Sequence, residues 1–184
     1  MHRAIDALWR IESPRLIARL ARIVRDVGTA EELAQDALVA ALSQWPESGV
    51  PDNPGGWLMV VAKHRAIDAL RRKTRLAQKV EALGQEEELL RETPDIDAKL
   101  DDDVGDDLLR LVFTACHPVL STEARVALTL RLLGGLTTPE IPRAFLLPEP
   151  TIAQRMVRAK RTLAEAKVPF EVPRGAERAE RLSS

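Results

Sequence analysis

LTTPEIPRAFLLPEPTIAQRMVRAKRTL, residues 136–163, is the stretch on which the reading of this chain turns. Thr137 and Glu140 fit a capping box, and Pro139 falls in the first turn, where its missing N–H costs nothing. The pattern predicts a short helix to about Phe145, a break at Leu146–Pro148 and a second helix opening at Pro150. In that second helix Ile152, Met156, Ala159 and Leu163 recur at spacings of four, three and four and are expected to pack inward. Gln154, Arg155, Arg158 and Arg161 project from other faces, with Lys160 beside them. Two helices joined by so short a break, the second carrying Gln and Arg toward solvent, have the layout of a helix-turn-helix. The plainer alternative is an αα-hairpin with a solvated basic face.

The residue types suit duplex DNA. A helix fits the major groove, where Arg pairs bidentately with guanine and Gln with adenine, while other cations and small hydroxyls hold phosphate. On that logic Gln154, Arg155 and Arg158 are candidate base readers, and Thr151, Lys160 and Arg161 candidate phosphate contacts.

Working outward, the chain has 184 residues, of which 45% are apolar but only 3% aromatic, and Tyr is absent. Its cores must be built from Leu, Val, Ile and Ala, and no run of alternating β-branched residues predicts a strand. An all-α fold is expected. One Cys excludes an internal disulfide, and three scattered His give no metal-ligand spacing. No apolar run reaches membrane-spanning length and no signal peptide opens the chain, so a soluble, cytoplasmic protein without a membrane partner is expected. There is no Gly-rich phosphate loop, nucleophilic triad or metal site, so neither an enzyme nor a cofactor is expected.

Charge divides the chain. Residues 1–74 balance at +2, residues 75–107 at −8 and residues 108–184 at +5, although the whole chain is −1. Two basic-leaning modules flank an acidic connector, so the near-neutral total does not argue against nucleic acid. The first module reads as a short helix over 4–12, then a helix opened by Ser13-Pro14 and closed by Gly28. A third helix over 30–45 follows, with Thr29/Glu32 as its capping box and Pro46 as its stop. It buries Ala34, Leu38, Ala41, Leu42 and Trp45 and presents Glu32, Gln35 and Asp36. Residues 46–56 form a loop, with Asn53 as N-cap and Pro54 as the first residue of a helix over 54–74. That helix begins apolar and ends basic, with Lys63, Arg65, Arg71 and Arg72. The acidic connector reads as poorly packed, partly helical near 76–90. Helices return over 106–116 and over 122–133 behind a Ser121/Thr122 cap, and the chain frays after Lys167. Cys116 beside His117 reads as a packed thiol near a helix end.

Three stretches, in this order, resemble an extracytoplasmic-function sigma factor of the bacterial sigma-70 family. TAEELAQDALVAAL (29–42) is similar to the region-2 helix that docks on RNA polymerase. PGGWLMVVAKHRAIDALRR (54–72) resembles the helix of promoter −10 recognition and melting. LTLRLLGGLTTPEIPRAFLLPEPTIAQRMVRAKRTL (128–163) resembles the region-4 helix-turn-helix that reads the −35 element. FTACHP (113–118) followed by LRLLGGLTT is similar to the subgroup in which a tetratricopeptide-like extension follows region 4. The chain ends at Ser184, about where that extension would follow, which implies a truncated or naturally short form lacking it. Two departures stand out: Pro142 inside the first helix of the motif, and Lys63-His64 where the family often has Asn.

The resemblance implies two small helical domains on a flexible acidic linker. Region 2 is expected over 1–74, the linker over 75–107, region 4 over 108–168 and a tail over 169–184. The implied function is to direct core polymerase to specific promoters. Glu32, Gln35 and Asp36 would dock on polymerase, and Asn53, Trp57, Lys63, Arg65, Arg71 and Arg72 would handle −10 DNA. Asn53 can be a helix cap or a base reader, and Trp57 a core residue or a neighbour of an extruded base. The implied partners are core RNA polymerase, through its beta-prime clamp and beta flap, and promoter DNA. An anti-sigma factor or a C-terminal regulatory extension is the implied regulator. The competing readings are a helical protein-interaction module and a conventional helix-turn-helix regulator without polymerase docking.

Overall fold

In the computed structural model the described residues are 2–81, 104–137 and 139–183. They form eight α-helices: α1 (His2–Val24), α2 (Val27–Ser48), α3 (Pro54–Glu81), α4 (Val104–Ala115), α5 (Thr122–Leu132), α6 (Glu140–Phe145), α7 (Glu149–Glu165) and α8 (Gly175–Ser183). Among the described residues no helix is long and apolar enough to cross a membrane. The all-α expectation holds.

The expected break at Ser13-Pro14 does not occur, and α1 runs through both residues. Proline in a helix interior removes one hydrogen bond and crowds the carbonyl four residues back. Here that carbonyl is Arg10's, and Gly135 of the α5–α6 connection closes on it: a Cβ at Gly135 would lie 3.1 Å from both Arg10 Cα and its carbonyl oxygen. Burial of Ile5 on one side of the proline and of Leu16, Ile17 and Leu20 on the other holds the helix together. Tertiary packing overrides the local signal.

Nor does Gly28 close the first helix. Arg25, at φ 55°, makes the turn, and Asp26 caps α2 by accepting the Thr29 N–H at 2.6 Å. Asp26, not the Thr29/Glu32 pair, is therefore the cap, and Gly28 lies in the first turn of α2. The helix also continues past Pro46 to Ser48 and ends at Gly49 (φ 84°), whose N–H reaches the Trp45 carbonyl at 2.9 Å. Ala30, Ala34, Ala37 and Ala41 are buried along α2, and their small side chains let α1 and α3 approach it closely. Ala34, Ala41 and Trp45 are buried as expected, while Leu38 and Leu42 are half-buried against the same core.

Two helices reach further toward the acidic stretch than their expected bounds of 74 and 106. Helix α3 extends to Glu81, and α4 begins at Val104 with Asp106 and Asp107 in its first turn, where carboxylates suit the positive end of the helix dipole. Residues 82–103, with most of the acidic runs, lie outside the described residues. The tail is not frayed throughout, since α8 forms over Gly175–Ser183 with a Glu177–Arg181 pair one turn apart. The side chains of α1–α5 share one apolar core that also takes in Ala159 and Leu163 of α7. A second, smaller core of Ala127, Ile141, Ile152 and Met156 ties α5, α6 and α7 together.

Candidate nucleic-acid interface

The helix-turn-helix is assembled from the signals its sequence carries. Glu140 accepts the N–H and the hydroxyl of Thr137, both at 2.8 Å, which is the side-chain half of a capping box. Those bonds, first the backbone one and then the hydroxyl, together with Arg10, hold the Glu140 carboxyl down at about 2. Pro142 is the third residue of α6, so its missing N–H falls in the first turn and the expected cost of an interior proline does not arise. Leu146 ends α6 in the left-handed region at φ 52°, where glycine or asparagine is the usual occupant, and is 91% exposed. The Leu147 N–H bonds the Pro142 carbonyl at 3.1 Å and closes the turn.

Helix α7 then presents a clear inside and outside. Ile152, Met156, Ala159 and Leu163 are all buried, as their spacing predicts. Thr151, Gln154, Arg158 and Arg161 are exposed, and Arg161 pairs with Glu165 at 2.7 Å along the same helix. Arg155 stands apart from them: it is half-buried at the edge of the motif core, and its Nη1 is buried without a hydrogen-bond partner. Its neighbour Glu123 in α5 is held below the usual carboxylate range, first by its own backbone N–H and the Ser121 hydroxyl and to a lesser degree by Arg155. Lys160 does not face outward either; its Nζ donates to Glu31 of α2 at 2.8 Å.

The N-terminal candidates fall on α2, α3 and the loop between them. Asn53 caps α3: its Oδ1 accepts the Gly56 N–H at 2.9 Å and its carbonyl accepts the Trp57 N–H at 3.0 Å. Trp57 packs edge-on against Trp45 with ring centroids 5.3 Å apart, so it is anchored in the core. Lys63 and Arg65 are half-buried and Arg71 is exposed on α3, while the side chain of Arg72 lies outside what the structure describes. Glu32 and Asp36 are exposed on α2, and Asp36 meets Arg65 at 3.0 Å. The structure thus links the acidic patch of α2 to the basic helix α3. Gln35 turns partly inward and donates to Glu31 at 2.8 Å.

Glu31 is the residue that sequence reading missed. Its side chain is only 6% exposed, and it accepts Arg131 Nε of α5 at 2.6 Å as well as Lys160. Burial pushes its carboxyl up, but Lys160 and Arg131 outweigh burial and leave it below its ordinary value. Next to Glu32 in an alanine-rich helix it carries no sequence signal of its own; only the packing of α5 and α7 distinguishes the two. Cys116 lies 3.6 Å from the Thr129 hydroxyl and is half-buried, as a packed thiol should be. No cluster of metal-ligating side chains occurs among the described residues.

A three-helix motif with an inward apolar stripe and an outward Gln/Arg face has the geometry of a helix-turn-helix. Comparison with known proteins sharpens that class. Residues 8–76 match sigma-70 region 2 and residues 110–163 match sigma-70 region 4. An uncharacterized protein of Rhizobium meliloti (strain 1021), R00370, is 39% identical over 98% of this chain and 43% of its own length. The probable ECF RNA polymerase sigma factor SigI of Mycobacterium tuberculosis (strain CDC 1551 / Oshkosh) is 25% identical over 93% of this chain and 58% of its own. The ECF RNA polymerase sigma factor SigK of Mycobacterium ulcerans (strain Agy99) is 29% identical over 81% and 78%. The chain belongs to the sigma-70 family, in its extracytoplasmic-function branch. It spans about half the length of the first two of these relatives.

Proposed function

We propose that this chain directs core RNA polymerase to specific promoters, contributing binding energy and no covalent chemistry. The observation that carries the reading is α7, whose buried stripe turns Thr151, Gln154, Arg158 and Arg161 outward together. Gln154 and Arg158 have the side chains that pair with base edges in a major groove, and Thr151 and Arg161 flank them as phosphate contacts. Arg155 supports this surface from its half-buried edge rather than reading a base. Pro148 stands at the N-cap position of α7 without a side-chain cap hydrogen bond, and Glu149 in the first turn offsets part of the positive potential that a helix N-terminus would otherwise offer a phosphate.

The N-terminal module takes the −10 element and the polymerase. Asn53 is occupied as a helix cap, so it reads an extruded base only when the first turn of α3 reorganises; Trp57 serves as the fixed wall beside it. Lys63, Arg65, Arg71 and Arg72 follow the single-strand phosphates along α3. Glu32, Gln35 and Asp36 dock on the beta-prime clamp and the C-terminal module on the beta flap, with an anti-sigma factor as the regulator such surfaces invite. In a reconstituted assay, core polymerase given this chain should initiate at a defined subset of genomic promoters fragments. Initiation no different from that of core alone refutes the reading.

A further inference from the structure

Helix α7 carries one outward side chain that neither hydrogen bonding to base edges nor phosphate neutralisation accounts for. Val157 is 62% exposed and is the one branched aliphatic residue of α7 outside the buried stripe of Ile152, Met156, Ala159 and Leu163. It follows Gln154 by three residues and precedes Arg161 by four, spacings that put all three on one face of a helix. Arg158, the next residue, borders that face and is exposed too. An aliphatic knob therefore stands within the polar surface that the promoter-directing reading sets against base edges.

Folding gives little reason for a valine there. An exposed helix position favours Ala, Arg, Lys, Gln or Glu, because a β-branched side chain loses rotamer freedom against the preceding turn. With most of its surface in water, Val157 recovers little of that loss through burial. The same stiffness helps at an interface: one χ1 rotamer dominates in a helix, so the two methyl groups are fixed before contact.

Among the base edges of a major groove the thymine C5-methyl is the one apolar feature. A short branched aliphatic fits that methyl and brings no polar atom that the contact would leave unsatisfied. It does not suit a phosphate, which asks for a cation or a hydrogen-bond donor. Gln154 and Val157 are separated by about 4.5 Å along the helix axis, close to the rise of about 3.4 Å per base pair. They are spaced to address the same or adjacent base pairs.

We propose that Val157 is a specificity-determining residue that reads thymine at one position of the −35 element through its C5-methyl group, beside the base contacts of Gln154 and Arg158. This rests on the promoter-directing reading and adds to it a selection of thymine over cytosine that is apolar in origin.

The test starts from core polymerase with the full chain, which selects a preferred duplex from a library randomised over the −35 element. That duplex is remade with each thymine in turn replaced by deoxyuridine, which removes the methyl and keeps the pairing edge. For the parent chain, uracil at one position should weaken holoenzyme binding about fourfold, the worth of one buried methyl group. Val157→Ala, which suits an exposed helix position better, should bind the thymine and uracil duplexes equally. Val157→Thr, which keeps one methyl, should retain part of the ratio. Arg158→Ala should bind both duplexes more weakly and keep the ratio at about four. A preferred element without thymine, a parent chain indifferent to uracil at every position, or a ratio that survives Val157→Ala would overturn the proposal and leave the promoter-directing reading standing. A holoenzyme without any −35 preference fails that reading and takes the proposal with it.

Discussion

Replacing Glu31 by Gln should cost about 2–3 kcal/mol of stability at pH 7. Its carboxylate accepts Arg131 Nε at 2.6 Å, Lys160 Nζ at 2.8 Å and Gln35 Nε2 at 2.8 Å. A charge-assisted bond contributes about 1.5–3 kcal/mol net, and orphaning buried charge costs about 3–5 kcal/mol. The two cations keep 15% and 22% of their side-chain exposure, so water recovers part of that loss and the lower figure applies. Gln preserves the volume and one acceptor, which isolates the charge. The folded-state pKa of Glu31 lies below the 4.5 of a free glutamate. Its contribution is accordingly complete above pH 4.5 and disappears as pH falls through the folded value. Urea midpoints of parent and variant at a series of pH values check this: the gap should be constant from pH 8 to about 5.5 and close in acid. Equal midpoints at pH 7, or a gap that persists unchanged in strong acid, would refute the assignment of Glu31 as the charged centre of the contact between α2, α5 and α7.

Other substitutions separate structural from recognition roles. Asn53→Ala should lose about 1 kcal/mol from the α3 cap, whereas Asn53→Asp should keep the cap but lose the amide donor. Thermal melts of the free chain and opening of −10 DNA by the holoenzyme therefore rank the two variants differently if Asn53 also reads a base. Leu146→Asn should stabilise the chain by about 1 kcal/mol by relieving a left-handed leucine that buries almost nothing; a lower melting temperature contradicts it. Ile141→Ala should cost about 2–4 kcal/mol, because Ile141 is fully buried in a core with only three other buried members. Chemical denaturation measures that loss.

Where a signal is local, the sequence of this chain declares it. The α7 stripe, the Asn53 and Ser121 caps, and the Thr137–Glu140 pair are each set by residues within a turn of one another. Pro142 departs from the family pattern, and the start of α6 at Glu140 places it in the first turn. Misreadings arose where distant packing decides. Ser13-Pro14 is an ordinary helix start by composition, yet burial on both sides carries α1 through it. Asp26 and Thr29 compete as caps over a three-residue span, and the αL turn at Arg25 selects Asp26. Arg155 and Lys160 cannot be told from Arg158 by spacing alone. Their orientations follow from α5 on one side of α7 and α2 on the other.

The most direct measurement of the central claim is selection from a promoter library randomised over the −35 element, using core polymerase with the parent chain or with Gln154→Ala, Arg158→Ala or Lys160→Gln. An outward α7 that reads bases predicts that Arg158→Ala relaxes preference at one base pair, with a loss of about 1–3 kcal/mol on the preferred sequence. Gln154→Ala should relax a neighbouring position, and Lys160→Gln should leave the preferred sequence unchanged. Identical base preferences for the parent, Gln154→Ala and Arg158→Ala would contradict the account.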